Sequence, residues 1–201
     1  VEGLESYTET VLGDEVESVQ LEENGVLFNA PVLKGQKTGW FYDHRMSRAR
    51  LAPYVQGKRV LDIFSYIGGW GIQAAAFGAE SVTCIDASEY ALDYVEENAR
   101  LNGVADKVSC IQGDAFAACR ELRDNREKFD VVIVDPPAFI PRRRDIKAGE
   151  QAYQRINQLA MRLLEKDGIL VSASCSMHLQ RDRLTDIIRA TRRPTDRFVQ
   201  I

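Results

Sequence analysis

The sequence predicts an α/β fold: a twisted, mainly parallel sheet of about six strands with helices on both faces, preceded by a small β-hairpin. Three observations carry this expectation. Short apolar runs suited to buried strands alternate with longer amphipathic stretches from Val60 to Ile201. The first such run, Val60–Phe64, breaks at Gly68, Gly69 and Gly71 and leads into the apolar, Ala-rich stretch Ile72–Phe77, the strand–turn–helix opening of a βαβ unit. Ahead of it, Asn24-Gly25 separates the strand-like runs Val16–Leu21 and Val26–Val32, a strong hairpin signal.

Composition bounds the answer. A chain of 201 residues, 45% hydrophobic, suits one domain with a small appendage, which we place at residues 1–35, with the main domain at 36–201. The net charge of −4 argues mildly against binding nucleic acid by bulk electrostatics, while leaving room for RNA held by a local basic patch. Cys84, Cys110, Cys119 and Cys175 form no C-x-x-C pair and the two histidines lie far apart, so no metal site is expected. There is no signal peptide and no apolar run long enough for a bilayer. A cytoplasmic protein with reduced thiols and no membrane partner is the expectation. The chain opens without Met, as a fragment would.

The elements follow in order. Val1–Asp14 is polar and uninformative, and the hairpin comes next. Lys34–Arg50 interleaves aromatic and charged residues until a short helix that starts near Asp43. There Lys37, Arg45, Arg48 and Arg50 suit RNA or a carboxylate, although composition favours a solvated charged face. Behind the glycine turn, the helix N-terminus offers free N–H groups and a positive dipole end. Ser81–Asp86 is a second parallel strand ending in an acid, where a nucleotide fold places the carboxylate that holds a ribose. Ser88 caps the helix Glu89–Asn102, whose apolar stripe is Tyr90, Leu92, Val95 and Ala99, and Gly103 closes it.

Val108–Ile111 is a third strand, and Asp114 after it suits either a ligand contact or the N-cap of Ala115–Glu127. Phe129–Val134 is a fully apolar fourth strand. Asp135 ends it, where an acid without a partner is a poor structural choice, and Pro136-Pro137 stiffen the chain beyond. Asp135 therefore reads as functional. The basic run Arg142-Arg143-Arg144 suits a phosphate contact or a mobile solvated loop. Gln151–Leu164 is helical by its period, Ile169–Ser174 is a fifth strand with Cys175 at its end, Arg181–Thr191 is a last helix, and Phe198–Ile201 begins another strand.

The glycine spacing speaks to the ligand. Gly-Gly-x-Gly is a poor pyrophosphate loop. It resembles the first motif of class I methyltransferases, which bind S-adenosylmethionine (SAM). With Lys37–Arg45 (Lys-Thr-Gly-Trp-Phe-Tyr-Asp-His-Arg), Phe64–Gly69, Asp86, Asp135-Pro-Pro-Ala-Phe139, Tyr153 with Asn157, and Ser174-Cys175-Ser176, the chain resembles the bacterial large-subunit rRNA cytosine-C5 methyltransferases of the RlmI type. The resemblance runs from about Val16 to Ile201.

That resemblance implies a Rossmann-like SAM-dependent enzyme acting on RNA, with large-subunit rRNA as partner and a homodimer left open. It implies SAM held by Phe64, Ser65, Tyr66 and Gly68, by Asp86 and Ala87 at the ribose, by Asp114 and Ala115 near the adenine, and by Arg45 at the methionine carboxylate. It assigns Cys175 as the nucleophile on C6 and Asp135 to the base edge. The resemblance leads one to expect an N-terminal PUA RNA-binding domain and later strands outside the residues given, and commonly Lys where Ala138 stands. Two other readings compete: a methyltransferase of exocyclic amines on adenine or guanine, in which an aromatic follows the two prolines directly, and a SAM- or RNA-binding module without catalysis.

Overall fold

The computed structural model describes residues 12–34, 39–195 and 199–201. Two strands, β1 (Ser18–Glu23) and β2 (Val26–Pro31), form the antiparallel hairpin. Asn24 and Gly25 have φ of +55° and +79°. Both positive angles belong to the tight turn whose twist matches the strands it joins. Two short helices, α1 (Arg45–Ala49) and α2 (Ala52–Val55), lead into β3 (Arg59–Ile63). Then follow α3 (Gly71–Ala76), β4 (Ser81–Asp86), α4 (Glu89–Leu101), β5 (Val108–Gln112), α5 (Ala115–Asp124) and β6 (Phe129–Val134). The chain ends through α6 (Ile146–Leu163), β7 (Leu164–Ser172) and α7 (Arg181–Thr195).

The main sheet has the order β5-β4-β3-β6-β7, and every neighbouring pair is parallel. Alternate side chains feed two cores, as the period of two in a strand requires. Val60, Val82, Val131 and Ile133 pack toward α2, α3 and α4. Leu61, Ile63, Ile85, Val132 and Val134 pack toward α5 and α6. With both faces covered, the strands read as continuous apolar runs. α7 lies on α6, where Ile140, Tyr153, Leu179 and Ile187 form a third cluster.

The hairpin is stitched to the domain by polar groups. Asn98 of α4 and Asn102, the residue that caps its C-terminus, use both ends of their carboxamides on the backbone of β2. Asn29 N–H and C=O meet Asn98 at 2.7 and 3.3 Å, and Leu27 N–H and C=O meet Asn102 at 3.0 and 2.7 Å.

Several expectations need correction. Among the described residues the main sheet has five strands, where about six were expected. Val199–Ile201 forms no strand, and Phe198 lies outside the described residues, as does Lys37. Lys166-Asp167-Gly168, between the expected helix and fifth strand, lies within β7 as an irregularity: pairing steps from Phe129↔Leu164 to Val131↔Ile169, with Asp167 at φ +61°. The basic segment is not a free loop. Arg143–Asp145 forms a 3-10 turn, α6 begins at Ile146, and Ile140 is buried. A Cβ at Gly149 would collide with Ile140 and the Phe139 carbonyl, so glycine there permits the close packing.

Candidate active site

Strand order reverses between β3 and β6, and ligands of open parallel sheets bind in the crevice at such a point. Two adjoining cavities lie there. The smaller, about 190 Å³, is lined by Asp86, Ala87, Asp114 and Ala115 together with Tyr90 and Pro137. The larger, about 300 Å³, is lined by Trp40, Arg48, Ser65, Gly69, Trp70 and Cys175, among others. Phe64, Tyr66, Asp135 and Pro137 border both. A hollow of about 970 Å³ elsewhere, between α7 and the outer edge of β7, contains none of these acids and not Cys175.

The loop after β3 is built under strain. Phe64 and Tyr66 have φ of +67° and +51°, a conformation costly for side chains of this size. Asp86 supports it: one carboxylate oxygen accepts the Tyr66 N–H at 2.9 Å and the other accepts the Ser88 N–H at 2.9 Å. A carboxylate has about four acceptor positions, so Asp86 keeps capacity for a vicinal diol. Its structural and ligand-binding roles are compatible. The same holds for Asp114, which caps α5 by accepting the Ala117 N–H at 2.9 Å and also borders the smaller cavity. Gly68 supplies the turn at φ +84°, and Gly69 rather than Gly68 faces the cavity.

Buried Asp62 anchors the loop from below through the Gly71 N–H at 2.8 Å. Burial pushes its carboxyl up to about 7, the Gly71 hydrogen bond opposing and the charges of Asp135 and Asp86 adding.

Asp135 stands at the end of β6. Trp70 Nε1–H donates to its Oδ2 at 2.9 Å, and His44 Nε2 lies 3.6 Å from its Oδ1. Cys175 is exposed, with Sγ 3.6 Å from the Pro136 carbonyl. Its position is set from behind. The buried Tyr153 hydroxyl bonds Ser174 Oγ and Ser176 Oγ, each at 2.8 Å, which pins both neighbours of Cys175 inward. The other thiols differ. Cys84 and Cys119 are buried and Cys110 is half-buried. Burial raises all three, Cys110 to about 11, Cys119 to about 12 and Cys84 well above its ordinary value, so they stay protonated and inert at neutral pH.

Sequence reasoning missed the wall opposite. Arg48 is buried, against the solvated-face expectation, and pairs with buried Glu23 at 2.6 Å (Nε to Oε1) and 3.0 Å (Nη2 to Oε2). Glu23 also accepts Trp40 Nε1–H and Gln73 Nε2–H, each at 2.9 Å. Burial alone would raise the Glu23 carboxyl, but these donors and the Arg48 charge hold it below its ordinary value. The guanidinium lies 5.1 Å from the Trp40 ring and 5.8 Å from the Trp70 ring. Arg45, by contrast, is exposed on α1 and does not line either cavity.

Comparison with known proteins supplies the affiliation. The family model described as S-adenosylmethionine-dependent methyltransferase matches residues 3–200. The chain belongs to that family. Among its relatives, Ribosomal RNA large subunit methyltransferase I of Aliivibrio fischeri (strain ATCC 700601 / ES114) is 43% identical over 177 residues, 87% of this chain and 45% of that protein. The protein of the same name from Aeromonas salmonicida (strain A449) is 38% identical over 202 residues, 100% of this chain and 51% of that one. The chain thus spans about half the length of the curated relatives it matches. Among solved structures, the SAM-dependent methyltransferase from Agrobacterium tumefaciens superposes with a TM-score of 0.77 at 21% identity, over 92% of this chain and 61% of that one. At that identity the likeness concerns the fold.

The donor set fits the methyltransferase cofactor. The smaller cavity offers Asp86 and Asp114 for hydroxyl and amino donors, Asp135 borders both cavities, and the larger one adds an exposed thiol. Among the described residues, no three His, Cys, Asp or Glu side chains group as a metal site, and no helix is long and apolar enough to cross a membrane.

Proposed function

We propose that this chain is the catalytic domain of a methyltransferase that modifies C5 of a cytosine in large-subunit rRNA through a covalent bond from Cys175 to C6. The observation that carries the reading is the pairing of Cys175, the exposed cysteine among the four, with Asp135 across one cavity. The names of the relatives support rRNA as the substrate.

The residues divide the work as follows. Asp86 and Ala87 hold the ribose of SAM, Asp114 and Ala115 the adenine, and the Phe64–Gly68 loop the middle of the molecule. Arg45 remains the proposed partner of the methionine carboxylate through a change in its side-chain position, with Arg48 the cation nearer the cavity. When bound, SAM supplies an electrophilic methyl group.

C5 of cytosine is a weak nucleophile. Attack of the Cys175 thiolate at C6 forms an S–C bond and breaks the C5=C6 π bond, and the released charge spreads over C5 and N3. Asp135 meets that charge at the N3 edge through a shared proton, which neutralises N3 as the S–C bond forms and returns when Sγ leaves. C5 then takes the methyl, a base removes the C5 proton, the double bond re-forms and Sγ leaves.

The amine-methylating alternative finds less support. Its aromatic would need to stack on the base, whereas Phe139 packs among Phe64, Phe116 and Tyr153 at 5.0–6.2 Å and lines neither cavity.

The test uses large-subunit rRNA containing 5-fluorocytosine, whose fluorine blocks elimination. The unaltered protein traps an adduct mapping to Cys175. Cys175→Ala binds SAM with unchanged affinity, transfers no methyl and traps nothing. An adduct at Cys84, Cys110 or Cys119, or methyl on an exocyclic amine, refutes the proposal.

A further inference from the structure

Resting on the cytosine-C5 reading, we propose that His44 is a positioning residue for Asp135 and stores the proton that Asp135 lends to cytosine N3.

The need for such a proton follows from the chemistry of the base. N3 of neutral cytosine presents a lone pair, and an ionised carboxylate presents only lone pairs. Asp135 and N3 therefore attract each other only if one proton lies between them. It must be available as Cys175 bonds to C6 and must be recovered when the double bond re-forms.

The geometry around Asp135 points to the source. One oxygen, Oδ2, is fixed by the Trp70 indole at 2.9 Å. The other, Oδ1, faces His44 Nε2 at 3.6 Å. The imidazole rests on the same indole that holds Asp135, with ring centroids 5.7 Å apart. Nε2 is shielded from solvent and has no hydrogen-bond partner. A buried nitrogen without a partner is costly to maintain, and a shift of about half an ångström brings it to hydrogen-bond distance of Oδ1.

Two carboxylates face His44 from different segments. Asp43 Oδ2 lies 3.8 Å from Nε2 on its own segment, and Asp135 faces it from the end of β6. Arg48, one turn along α1, is engaged by Glu23 of the hairpin rather than by either of these acids. Asp62 of β3, itself coupled to Asp135, is buried with one oxygen unpartnered, and burial holds its carboxyl at about 7, which limits the negative charge it adds. Arg45 follows His44 in sequence and is exposed. Cys175 borders the cavity from the β7 side.

The proton balance closes. As Sγ bonds to C6, Nε2 gives its proton to Oδ1, and Asp135 gives a proton to N3. After methyl transfer, the C5 proton leaves to solvent. The C5=C6 bond re-forms, Sγ departs as thiolate, and the N3 proton returns through Asp135 to His44. One proton is released per turnover, as the overall reaction requires.

The experiment compares the full-length protein with His44→Gln, using large-subunit rRNA from cells lacking the gene and varying pH. Glutamine retains an N–H donor toward Asp135 but cannot give up and recover a proton, as an imidazole can. His44→Gln is expected to keep KM for SAM and RNA within about twofold. It should lower kcat at least about tenfold, at the modest end of acid–base contributions, and change the pH profile of kcat. In His44→Ala, added imidazole should restore part of kcat. A pH profile that superimposes on the unaltered one, or an effect on KM alone, overturns the role of His44 while the formation of 5-methylcytosine keeps the parent reading. A product methylated elsewhere, read by nucleoside mass spectrometry, removes both.

Discussion

Replacing Glu23 with Ala tests whether the hairpin holds the wall of the active site. Glu23 is 1% exposed and Arg48 4%. The carboxylate accepts four hydrogen bonds, two from Arg48 and one each from Trp40 and Gln73. In Glu23→Ala the guanidinium keeps the Phe41 carbonyl at 2.7 Å as its remaining partner. A buried charge stripped of its counter-ion costs about 3–5 kcal/mol. For a domain of this length each kcal/mol moves Tm by about 2–4 °C, so the expected fall is roughly 6–20 °C. Urea unfolding measures the same quantity from the shift in midpoint at constant slope. Replacing both partners, Glu23→Met with Arg48→Met, should cost less than Glu23→Ala alone, because no uncompensated charge remains. The pH dependence has a defined sign. The folded-state value of Glu23 lies below its unfolded value of 4.5, so its contribution is present above that pH and disappears as pH falls through the lower, folded value. A loss under about 1 kcal/mol for Glu23→Ala would mean that water screens the pair, and a double variant as costly as the sum of the singles would remove the coupling.

Two further outcomes are expected. Asp86→Asn keeps an acceptor for the backbone but loses the charge, so calorimetric titration should show SAM binding weakened by about 1.5–3 kcal/mol, and unchanged affinity would make the acid purely structural. Asp62 behaves oppositely to Glu23: its folded value, about 7, lies above the ordinary 3.8, so it removes stability as pH rises between the two. From pH 5 to 8 this amounts to about 2–3 kcal/mol, and Asp62→Asn should flatten that slope in urea unfolding. An unchanged slope would mean that Asp62 is ionised in the fold.

Local signals in the sequence were enough for the parallel sheet. Val60–Phe64 and Phe129–Val134 are apolar on both faces because helices cover both, and Ser88 and Asp114 cap helices through bonds three residues away. The smaller cavity shares this legibility, since Asp86 and Asp114 follow strand ends directly. The opposite wall depends on distant pairs. Arg48 reads as a surface cation because its partner lies 25 residues earlier, in a polar hairpin end where Glu23 reads as a turn residue. Trp70 reads as part of a glycine turn, and its partner Asp135 comes 65 residues later. Spacing along the chain reports periodicity and capping, but not which side chain a buried charge meets across the fold. The basic segment before α6 was misread for a related reason. Arg142–Arg144 look solvated, and they are exposed, yet Ile140 and Gly149 beside them fix the backbone against the helix.

The carboxamides of Asn98 and Asn102 have a consequence for self-association. One turn of helix advances about as far as two residues of strand, roughly 6 against 7 Å. Two amides four residues apart, on α4 and at its C-terminal cap, can therefore meet the outward N–H and C=O groups of Leu27 and Asn29 in register. The helix imitates the rim of a neighbouring strand with side chains alone. A hairpin added to the outside of a domain would otherwise offer this rim as a template for another polypeptide, a common start of aggregation. Here its ladder positions are already taken, so the appendage joins the domain without becoming adhesive along β2.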